Sequence, residues 1–473
     1  MAKRSLVRKL ALWVGVPVAA VLLLLGALAG GFVWLFEYAG PTPDYPKPRD
    51  AREAQLQDLD FLSRFPDYDR SFTAEGRAAF ARVLEELKAK DGTLTPVELE
   101  MGVARAVTTA GNAHTTTGTL GRANRLNRLP LRFGWFGDEL RVVRARAEQA
   151  ALLGARVTAL EGRDPLATLE TLSLYRAGPP SHVKATAPVM LESPELLHAV
   201  GLSDAKDALD LELELADGTR TALAVAALPP DPAYPRVWPW RMIAPQPLPG
   251  EPEGWRTVLP ADAPLPLYLR DVDRPFLVEV LEEPKALYFR LHAYEDAEGE
   301  TLAAAQARAL AALRARGLRH AVLDFRFNGG GDYTRMMGFV RELAEALPAD
   351  GRLVVVTGNE TFSAAIVNTA MAKYYGGARS RIVGEPVGDH LVMWAEGDAL
   401  TLPNSGIAAY FSTGKHDWEK GCRDPYVCYW MNLLWDVPAG SVAPDVPAHV
   451  DFPAYLQGRD PVLDRALAVL AGG

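Results

Sequence analysis

Residues 321–368 read AVLDFRFNGGGDYTRMMGFVRELAEALPADGRLVVVTGNETFSAAIVN, and this stretch decides the fold. Two short apolar runs rich in β-branched residues, Ala321–Phe325 and Leu353–Thr357, flank the segment Met336–Leu347, whose apolar residues recur at helical spacing. A strand, a crossover helix and a second strand form the unit from which buried parallel sheets are built. The stretch therefore predicts an α/β core with a parallel sheet.

Each predicted strand is followed by residues suited to chemistry. Asn328–Gly331 follow the first strand, and glycines there let backbone N–H groups approach a ligand because they lack β-carbons. After the second strand come Thr361–Ala365 and a helical pattern from Ala364 to Tyr374. Ser363 is thus predicted at a helix N-terminus, where free N–H groups and the helix dipole favour negative charge. Carboxyl ends of parallel strands share one edge of the sheet, the edge that binds ligands in open α/β folds.

Ser363 has two interpretations at this stage. A serine that faces a glycine-rich turn has the arrangement of a nucleophile facing an oxyanion hole. A serine at a helix start is also a common N-cap, and a glycine cluster after a strand is a common turn. The occurrence of both features in one strand–helix–strand unit strengthens the catalytic interpretation and leaves both interpretations open.

Several short motifs occur along the chain in a fixed order. They are GNAHTTTG at Gly111–Gly118, LDFRFNGGG at Leu323–Gly331, TFSAA at Thr361–Ala365, IVGEP at Ile382–Pro386, LPNSG at Leu402–Gly406, APD at Ala443–Asp445 and LQGRDPVLDRAL at Leu456–Leu467. In this order they resemble the tail-specific (C-terminal processing) serine peptidases, whose superfamily includes the tricorn protease core and the interphotoreceptor retinoid-binding protein repeats. The resemblance covers most of the chain after about residue 55.

The resemblance implies a fold and a catalytic machinery. The expected fold is a multi-domain α/β (α+β) chain with a helical N-terminal subdomain, a PDZ-like β subdomain and a ClpP/crotonase-like ββα catalytic core. Ser363 is the implied nucleophile and His114 the implied base. The backbone N–H groups of Ala364 and of Gly329 or Gly330 are the implied oxyanion donors.

The segment Gly384–His390 bears on which base the mechanism uses. One branch of the family has a lysine base soon after its Gly-Glu-x-Thr segment, and no lysine occurs in Gly384–His390. The Ser/His mechanism of the tricorn-like branch is therefore favoured. His390 is the alternative base, and Asp389 is a neighbour that can contact the site instead.

Two further positions depart from the family pattern. The usual aspartate two residues before the histidine is Asn112, and the usual glutamate three residues after the nucleophile is Ile366. The acid that orients the base is not fixed by spacing. The candidates are Asp436 and Glu419, with Asp417 behind them.

These departures leave two classes of function open. The first is a serine-type endopeptidase that acts on extracytoplasmic polypeptides and needs no cofactor. The second is a catalytically degenerate relative that binds peptides or apolar ligands, because one fold can serve different functions.

Changes in amino-acid composition along the chain suggest five regions after residues 1–39. Residues 40–50 are a Pro-rich tether, 51–128 a helical subdomain, 129–228 a β-rich region, 229–275 a Pro/Trp-rich linker and 276–473 the catalytic domain. The β-rich region is interpreted as a PDZ-like module, which binds extended peptides by strand addition, or as a structural β subdomain.

Charge and cysteine content restrict the partners. The formal net charge of −9 over 473 residues argues against nucleic acid. The two cysteines, Cys422 and Cys428, flank a Pro-containing loop, which predicts a local disulfide in an oxidising compartment. Two thiolates without further cysteine or histidine ligands make a poor metal site.

Residues 1–39 predict a membrane anchor. Leu10–Phe36 carries no charge and is longer than the about 20 residues that a membrane helix needs. It also exceeds the about 7–15-residue apolar core of a secretory signal. The residues before it are basic, which by the positive-inside rule places the rest of the chain in the periplasm or outside the cell. The alternative is a signal cleaved near Ala27–Ala29, where small residues occur.

The mature protein is therefore expected to retain Leu10–Phe36, because the apolar stretch continues past the small-residue site. N-terminal sequencing of the protein isolated from membranes checks this. A mature sequence that starts just after Ala29 would instead establish a cleaved signal.

Overall fold

Two six-stranded sheets organise the chain, one antiparallel and one mostly parallel. The computed structural model describes residues 2–36 and 39–472, and within these it describes the side chains of residues 13–32 and 39–472. The predicted multi-domain α/β fold class and the predicted apolar N-terminal helix are confirmed.

The N-terminal helix α1 spans Ala2–Phe36. Its section Trp13–Phe32 has a mean hydropathy of 2.2 and is long and apolar enough to cross a membrane. The basic side chains that set the predicted orientation lie outside the described side chains. At the other end, the ring of Phe32 lies 5.7 Å from the ring of Trp430, so the helix ends against the C-terminal part of the chain.

Helices fill the region after the tether. They are α2 (Ala51–Leu62), α3 (Phe65–Tyr68), α4 (Ala74–Lys88) and α5 (Pro96–Thr108). Helix α5 begins with a capping box, in which Thr95 and Glu98 each accept a hydrogen bond from the other's main chain. The apolar faces of these helices share a core with Leu400, Leu402 and Phe411, so this region packs directly on the C-terminal part of the chain.

The antiparallel sheet and its helices follow. The elements are β1 (Leu131–Phe136), β2 (Glu139–Arg146), β3 (Arg156–Leu160), α6 (Pro165–Leu172), α7 (Pro180–Leu191), α8 (Pro194–Ala199), β4 (Ala208–Glu214), β5 (Arg220–Ala226) and β6 (Trp255–Thr257). Strands β4 and β5 form a hairpin whose connection contains Asp217 and Gly218. The segment expected to be only a linker supplies β6, which pairs with β2. It also buries Trp240, because burial removes a large aromatic surface from water.

The C-terminal part contains the mostly parallel sheet. Its elements are β7 (Phe276–Leu281), β8 (Ala286–Leu291), α9 (Leu302–Ala315), β9 (His320–Asp324), α10 (Thr334–Ala346), β10 (Leu353–Thr357), α11 (Ala364–Gly376), β11 (Ser380–Gly384), β12 (Val392–Ala395), β13 (Ala399–Thr401), β14 (Ala408–Tyr410), β15 (Gly414–Asp417), α12 (Trp430–Leu434), β16 (Val446–Pro447), α13 (Phe452–Leu456) and α14 (Pro461–Ala471).

Strands β8 to β11 and β16 run parallel in the order β16-β11-β10-β9-β8, with β7 added antiparallel at the edge. The strand–helix–strand unit predicted from the sequence is β9–α10–β10, in which Leu323 is opposite Val355. Every residue of β9 and β10 is buried, as expected for a sheet covered on both faces. The carboxyl ends of β9, β10 and β11 consequently lie at one edge.

A disulfide joins Cys422 and Cys428, with the two Sγ atoms 2.07 Å apart. It closes the loop between β15 and α12, which carries Arg423 and Asp424. Asp424 N–H points at Cys428 Sγ from 3.2 Å, so the loop turns tightly around the bridge.

Candidate active site

Ser363 occupies the turn between β10 and α11 in a strained conformation. Its φ is +50° and its ψ is −118°, a region that a residue with a β-carbon rarely adopts. Such strain costs on the order of 1–3 kcal/mol and is typical of functional turns between a strand and a helix. Its side chain forms no capping hydrogen bond, so the N-cap interpretation does not describe what this hydroxyl does.

Hydrogen bonds on both sides hold the turn in place. Thr361 Oγ1 accepts the N–H of Gly358 and donates to the carbonyl of Phe325, each over 2.9 Å. The N–H of Phe362 donates to the carbonyl of Asn328 over 2.9 Å. Residues that follow β9 are thereby fastened to the residues just before Ser363.

The glycine turn after β9 lies directly beside Ser363, as the sequence predicts. Gly330 has a φ of +108°, and a β-carbon added there would lie 2.7 Å from Ser363 Cβ. Asn328 is fully buried and donates from Nδ2 to the carbonyl of Leu291 over 3.1 Å, which fixes the start of the turn. Only glycine satisfies both the backbone conformation and the space at position 330.

The predicted oxyanion donors differ in availability. The N–H of Gly330 donates to Asn328 Oδ1 over 2.9 Å and is therefore occupied. The N–H of Ala364 lies in the first turn of α11, where no intrahelical acceptor exists. Gly329 lies beneath Trp238, since a β-carbon added to it would be 2.7 Å from the indole. Of the donors considered, the N–H of Ala364 is better placed than that of Gly330 to donate to an oxyanion.

His114 lies against the residue that precedes the serine. Its ring stacks on the Phe362 ring with a centroid distance of 4.5 Å. Its Nδ1 is 3.1 Å from Asp389 Oδ2, and the two side chains are 15 % and 4 % exposed. The N–H direction is off this line, and neither ring nitrogen of His114 forms a hydrogen bond with a described residue. The structure thus brings His114 beside the Ser363 turn without a Ser–His hydrogen bond.

The acids predicted to orient the base lie elsewhere. Asp436 pairs with Arg423 over 3.2 Å beside the disulfide loop, and Glu419 pairs with its neighbour Lys420, also over 3.2 Å. Among the described residues, the carboxylate that contacts His114 is Asp389, whereas the recorded ion pairs of Asp436 and Glu419 are with other side chains. Asp389, which the sequence analysis named as able to contact the site but not as the orienting acid, reaches His114 through the turn after β11.

The remaining predicted residues have other contacts. Asp417 Oδ1 accepts the main-chain N–H groups of Glu419 and Lys420, over 3.1 and 2.8 Å. His390 is exposed, and its main-chain N–H donates to Asp389 Oδ1 over 2.8 Å. Asn112 donates to Ser412 Oγ over 3.1 Å and to the Trp394 carbonyl over 2.9 Å, so it fastens the His114 segment to β12 rather than to the imidazole.

Two buried residues near the site were not singled out from the sequence. His182, on α7, also stacks on Phe362 at 4.5 Å. Arg176 Nη2 lies 2.5 Å from His182 Nε2, and Arg176 Nη1 donates to Thr116 Oγ1. A guanidinium has only donors, so Nε2 of His182 accepts and the neutral ring carries its proton on Nδ1.

The charge states at this cluster follow from burial. Desolvation, and then the charge of Arg176, hold the pKa of His182 well below its usual value. Burial lowers the pKa of Arg176 to about 10, so it remains a cation near neutral pH, with Asp389 acting in the opposite direction. No spacing rule links these residues to Ser363, because α7 belongs to the antiparallel half of the chain.

No group of three or more His, Cys, Asp or Glu side chains among the described residues has an arrangement that would hold a metal ion. The site is therefore composed of a strained serine, a glycine turn, an imidazole and one buried carboxylate. This set is suited to nucleophilic attack with proton transfer.

Comparison with known proteins supports the fold. No family model and no curated protein matches the chain. Among solved structures, mature CPAF complexed with lactacystin matches with a TM-score of 0.58 at 12 % identity, over 89 % of this chain and 98 % of that chain. Mature CPAF matches with a TM-score of 0.56 at 12 % identity, over 89 % and 97 %.

The photosystem II D1 C-terminal processing protease also matches, over 88 % of this chain and 97 % of that chain, at 15 % identity and a TM-score of 0.37. That score is too low to carry an argument about this chain. The fold predicted from the resemblance of the motifs is confirmed by the likeness to mature CPAF. At such low identity the likeness establishes the fold alone.

Replacing Gly330 with alanine is expected to destabilise the protein by at least about 1–3 kcal/mol, because the new β-carbon meets both a positive φ and Ser363 Cβ. Thermal denaturation followed by circular dichroism measures the effect. Gly338→Ala is the control, since a β-carbon there has nothing within 4 Å, in the exposed face of α10. An unchanged melting temperature for Gly330→Ala would contradict the close approach of the two turns.

Proposed function

We propose that this protein is a membrane-anchored serine peptidase that hydrolyses peptide bonds of extracytoplasmic polypeptides through a Ser/His mechanism. The observation that carries the proposal is the strained Ser363 turn packed against Gly330, with a hydroxyl that makes no capping bond. The likeness of the fold to mature CPAF, including the structure solved with lactacystin, supports the proposal. Helix α1 supports the anchor by its length and composition.

In this proposal Ser363 Oγ attacks the carbonyl carbon of the scissile bond while its proton passes to His114 Nε2. The C–O bond forms as the carbonyl π electrons move to oxygen, and the N–H groups of Ala364 and Gly329 stabilise that oxyanion. His114 then gives the proton to the leaving amine, the C–N bond breaks, and an acyl-enzyme ester remains. Water then attacks the carbonyl carbon of the ester while His114 takes its proton. His114 returns this proton to Ser363 Oγ as the ester C–O bond breaks.

Asp389 is the residue that would stabilise the protonated imidazole. Its Oδ2 faces His114 Nδ1 at 3.1 Å, and its Oδ1 is fixed by the His390 main chain. A carboxylate in this position favours the tautomer with the proton on Nδ1, which leaves Nε2 free to accept from the serine. Catalytic hydrogen bonds often tighten only when substrate binds.

His182 and Arg176 have a positioning role in this proposal. Phe362 is held between contacts to His114 and His182, each at 4.5 Å, and it directly precedes the nucleophile. Because Arg176 fixes the His182 ring, the aromatic contact also restrains the peptide that carries Ser363.

The second candidate is a binding protein that does not cleave its ligand. The observation that favours it is that His114 makes no hydrogen bond with a described residue and that Gly330 N–H is already occupied. A fluorophosphonate probe separates the two, because only an activated serine reacts with it.

Ser363→Ala and His114→Ala are each expected to abolish hydrolysis of fluorescently labelled casein, with losses on the order of 10⁴–10⁶ in rate. The double variant should be no worse than either single one, because nucleophile and base act as a unit. Fluorophosphonate labelling should likewise disappear in each. His390→Ala is the control and should retain activity, since this side chain is exposed. Full activity in Ser363→Ala would refute the proposal.

Asp389→Asn is expected to lower kcat on the order of 10⁴, because the amide favours the wrong tautomer of His114. The matched control is Asp436→Asn, which removes a carboxylate paired with Arg423 and should leave kcat nearly unchanged. Steady-state kinetics on both variants decide between the acids. If Asp436→Asn were the inactive variant, Asp389 would not be the orienting acid.

A further inference from the structure

A cavity with a volume of about 90 Å³ lies between the antiparallel sheet and the edge of the parallel sheet. Its lining includes the β1–β2 turn at Gly137, helix α7 at Lys184 and the turn after β10 at Asn359 and Glu360. A single water needs on the order of 10–15 Å³. The cavity therefore accommodates a group of several non-hydrogen atoms.

Two carboxyl groups line this cavity, those of Glu360 and Glu385, and the Glu360 carboxyl accepts a main-chain hydrogen bond from Trp240. Glu360 Oε2 is buried and forms no hydrogen bond with a described residue. Glu385 lies on the same wall and accepts one hydrogen bond, from Asn359 Nδ2 over 2.8 Å. A buried, unpaired carboxyl oxygen is costly unless a ligand satisfies it.

Lys184 and Arg326, which line the cavity, each have carboxylate partners. Lys184 Nζ pairs with Asp138 over 2.8 Å. Arg326 pairs with two carboxylates, Asp324 over 2.8 Å and Asp460 over 2.9 Å, so that group as a whole carries a negative charge. The field that remains in the cavity favours a positive ligand.

Aromatic rings form part of the wall. Trp135, Trp240, Tyr268 and Phe327 line the cavity, and the rings of Trp240 and Phe327 stack at 5.0 Å. The Tyr268 hydroxyl is buried and forms no hydrogen bond with a described residue. Aromatic faces attract cations, most strongly where water is excluded. Carboxyl groups and aromatic faces together are the environment that an ammonium or guanidinium group prefers.

A groove of about 1160 Å³ runs from the cavity along α6 and α7. The groove and the cavity share the lining residues Lys184, Asn359, Glu385, Ala448 and His449. Glu360 is separated from Ser363 by only Thr361 and Phe362. At about 3.3–3.6 Å per residue, their Cα atoms are at most about 11 Å apart, within reach of neighbouring side chains on one peptide.

We propose that this cavity is a specificity subsite that takes the lysine or arginine side chain of a polypeptide lying in the groove. Glu360 and Glu385 supply the negative charge, and the aromatic wall holds the alkyl stem and the cationic head. The inference rests on the proposed peptidase function for its biological meaning, but the binding step does not require hydrolysis.

Proton linkage supports the subsite. Burial, and then the neighbouring charge of Glu385, raise the pKa of Glu360 well above its usual value. Burial also raises the pKa of Glu385, with Lys184 and His449 acting in the opposite direction and Asp138 in the same one. A bound cation favours the ionised carboxylates, so binding releases protons and strengthens as the pH rises.

The test uses full-length Ser363→Ala protein in detergent and isothermal titration calorimetry. Nα-acetyl-arginine amide is compared with Nα-acetyl-citrulline amide, which has nearly the same shape but no charge. Arginine amide is expected to bind at least tenfold more tightly and to release protons, which is measured as a dependence of the heat on the ionisation enthalpy of the buffer. Equal affinity for the two amides would overturn the inference.

Glu360→Gln and Glu385→Gln are each expected to abolish the preference for arginine. The control is Glu342→Gln, an exposed acid on α10 that pairs with Arg314 and should keep the preference. Circular dichroism of each variant shows whether it is folded, and a folded Glu360→Gln that still prefers arginine contradicts the assignment. Fluorophosphonate labelling of the wild type is scored separately, so a failure of the peptidase function is distinguished from a failure of the subsite.

Discussion

The hydrogen bond from Phe362 N–H to the carbonyl of Asn328 is the interaction on which the candidate site depends. It joins the turn after β9 to the turn after β10, two turns that parallel pairing already brings to one edge. Because this bond fixes the peptide just before Ser363, the serine stays at a φ of +50°. This hydrogen bond thus helps to maintain the strained backbone of Ser363 and holds Gly330 next to the Ser363 side chain.

Buried ion pairs also stabilise the same edge of the sheet. Arg326 is fixed between Asp324, at the end of β9, and Asp460, which caps the start of α14. The two carboxylates offset the desolvation of the guanidinium and keep its pKa raised. Removing one partner would leave an uncompensated buried charge, which is strongly destabilising. The C-terminal helix is thereby tied to the strand that leads into the glycine turn.

The candidate site is shared between distant parts of the chain. His114 follows the helical region, His182 and Arg176 come from the antiparallel half, and Ser363 and Asp389 come from the parallel half. Ser181 Oγ donates to the carbonyl of Val387 over 2.7 Å, which ties α7 to the segment that carries Asp389. An arrangement of this kind forms only when the subdomains pack together, so the proposed subsite and the proposed catalytic groups depend on the same interface.

The sequence by itself determined the local elements of the core. The strands Leu353–Thr357 and His320–Asp324, the helix between them and the placement of Ser363 at a helix start follow from apolar periodicity and glycine content, which act over a few residues. The order of the motifs was enough to indicate the family of folds. His114 was reached through that resemblance and not through spacing.

Tertiary structure decided which polar groups meet. Asp389 rather than Asp436 or Glu419 contacts His114, and the N–H of Gly330 is occupied by Asn328. His182, Arg176 and the carboxyl of Glu360, with its unpaired Oε2, acquire their surroundings from chain segments far away in sequence. The physical reason is that burial, and with it hydrogen bonding and pKa, is a property of the packed interface. Periodicity predicts which face of an element is buried, but it contains no information about which side chain lies opposite.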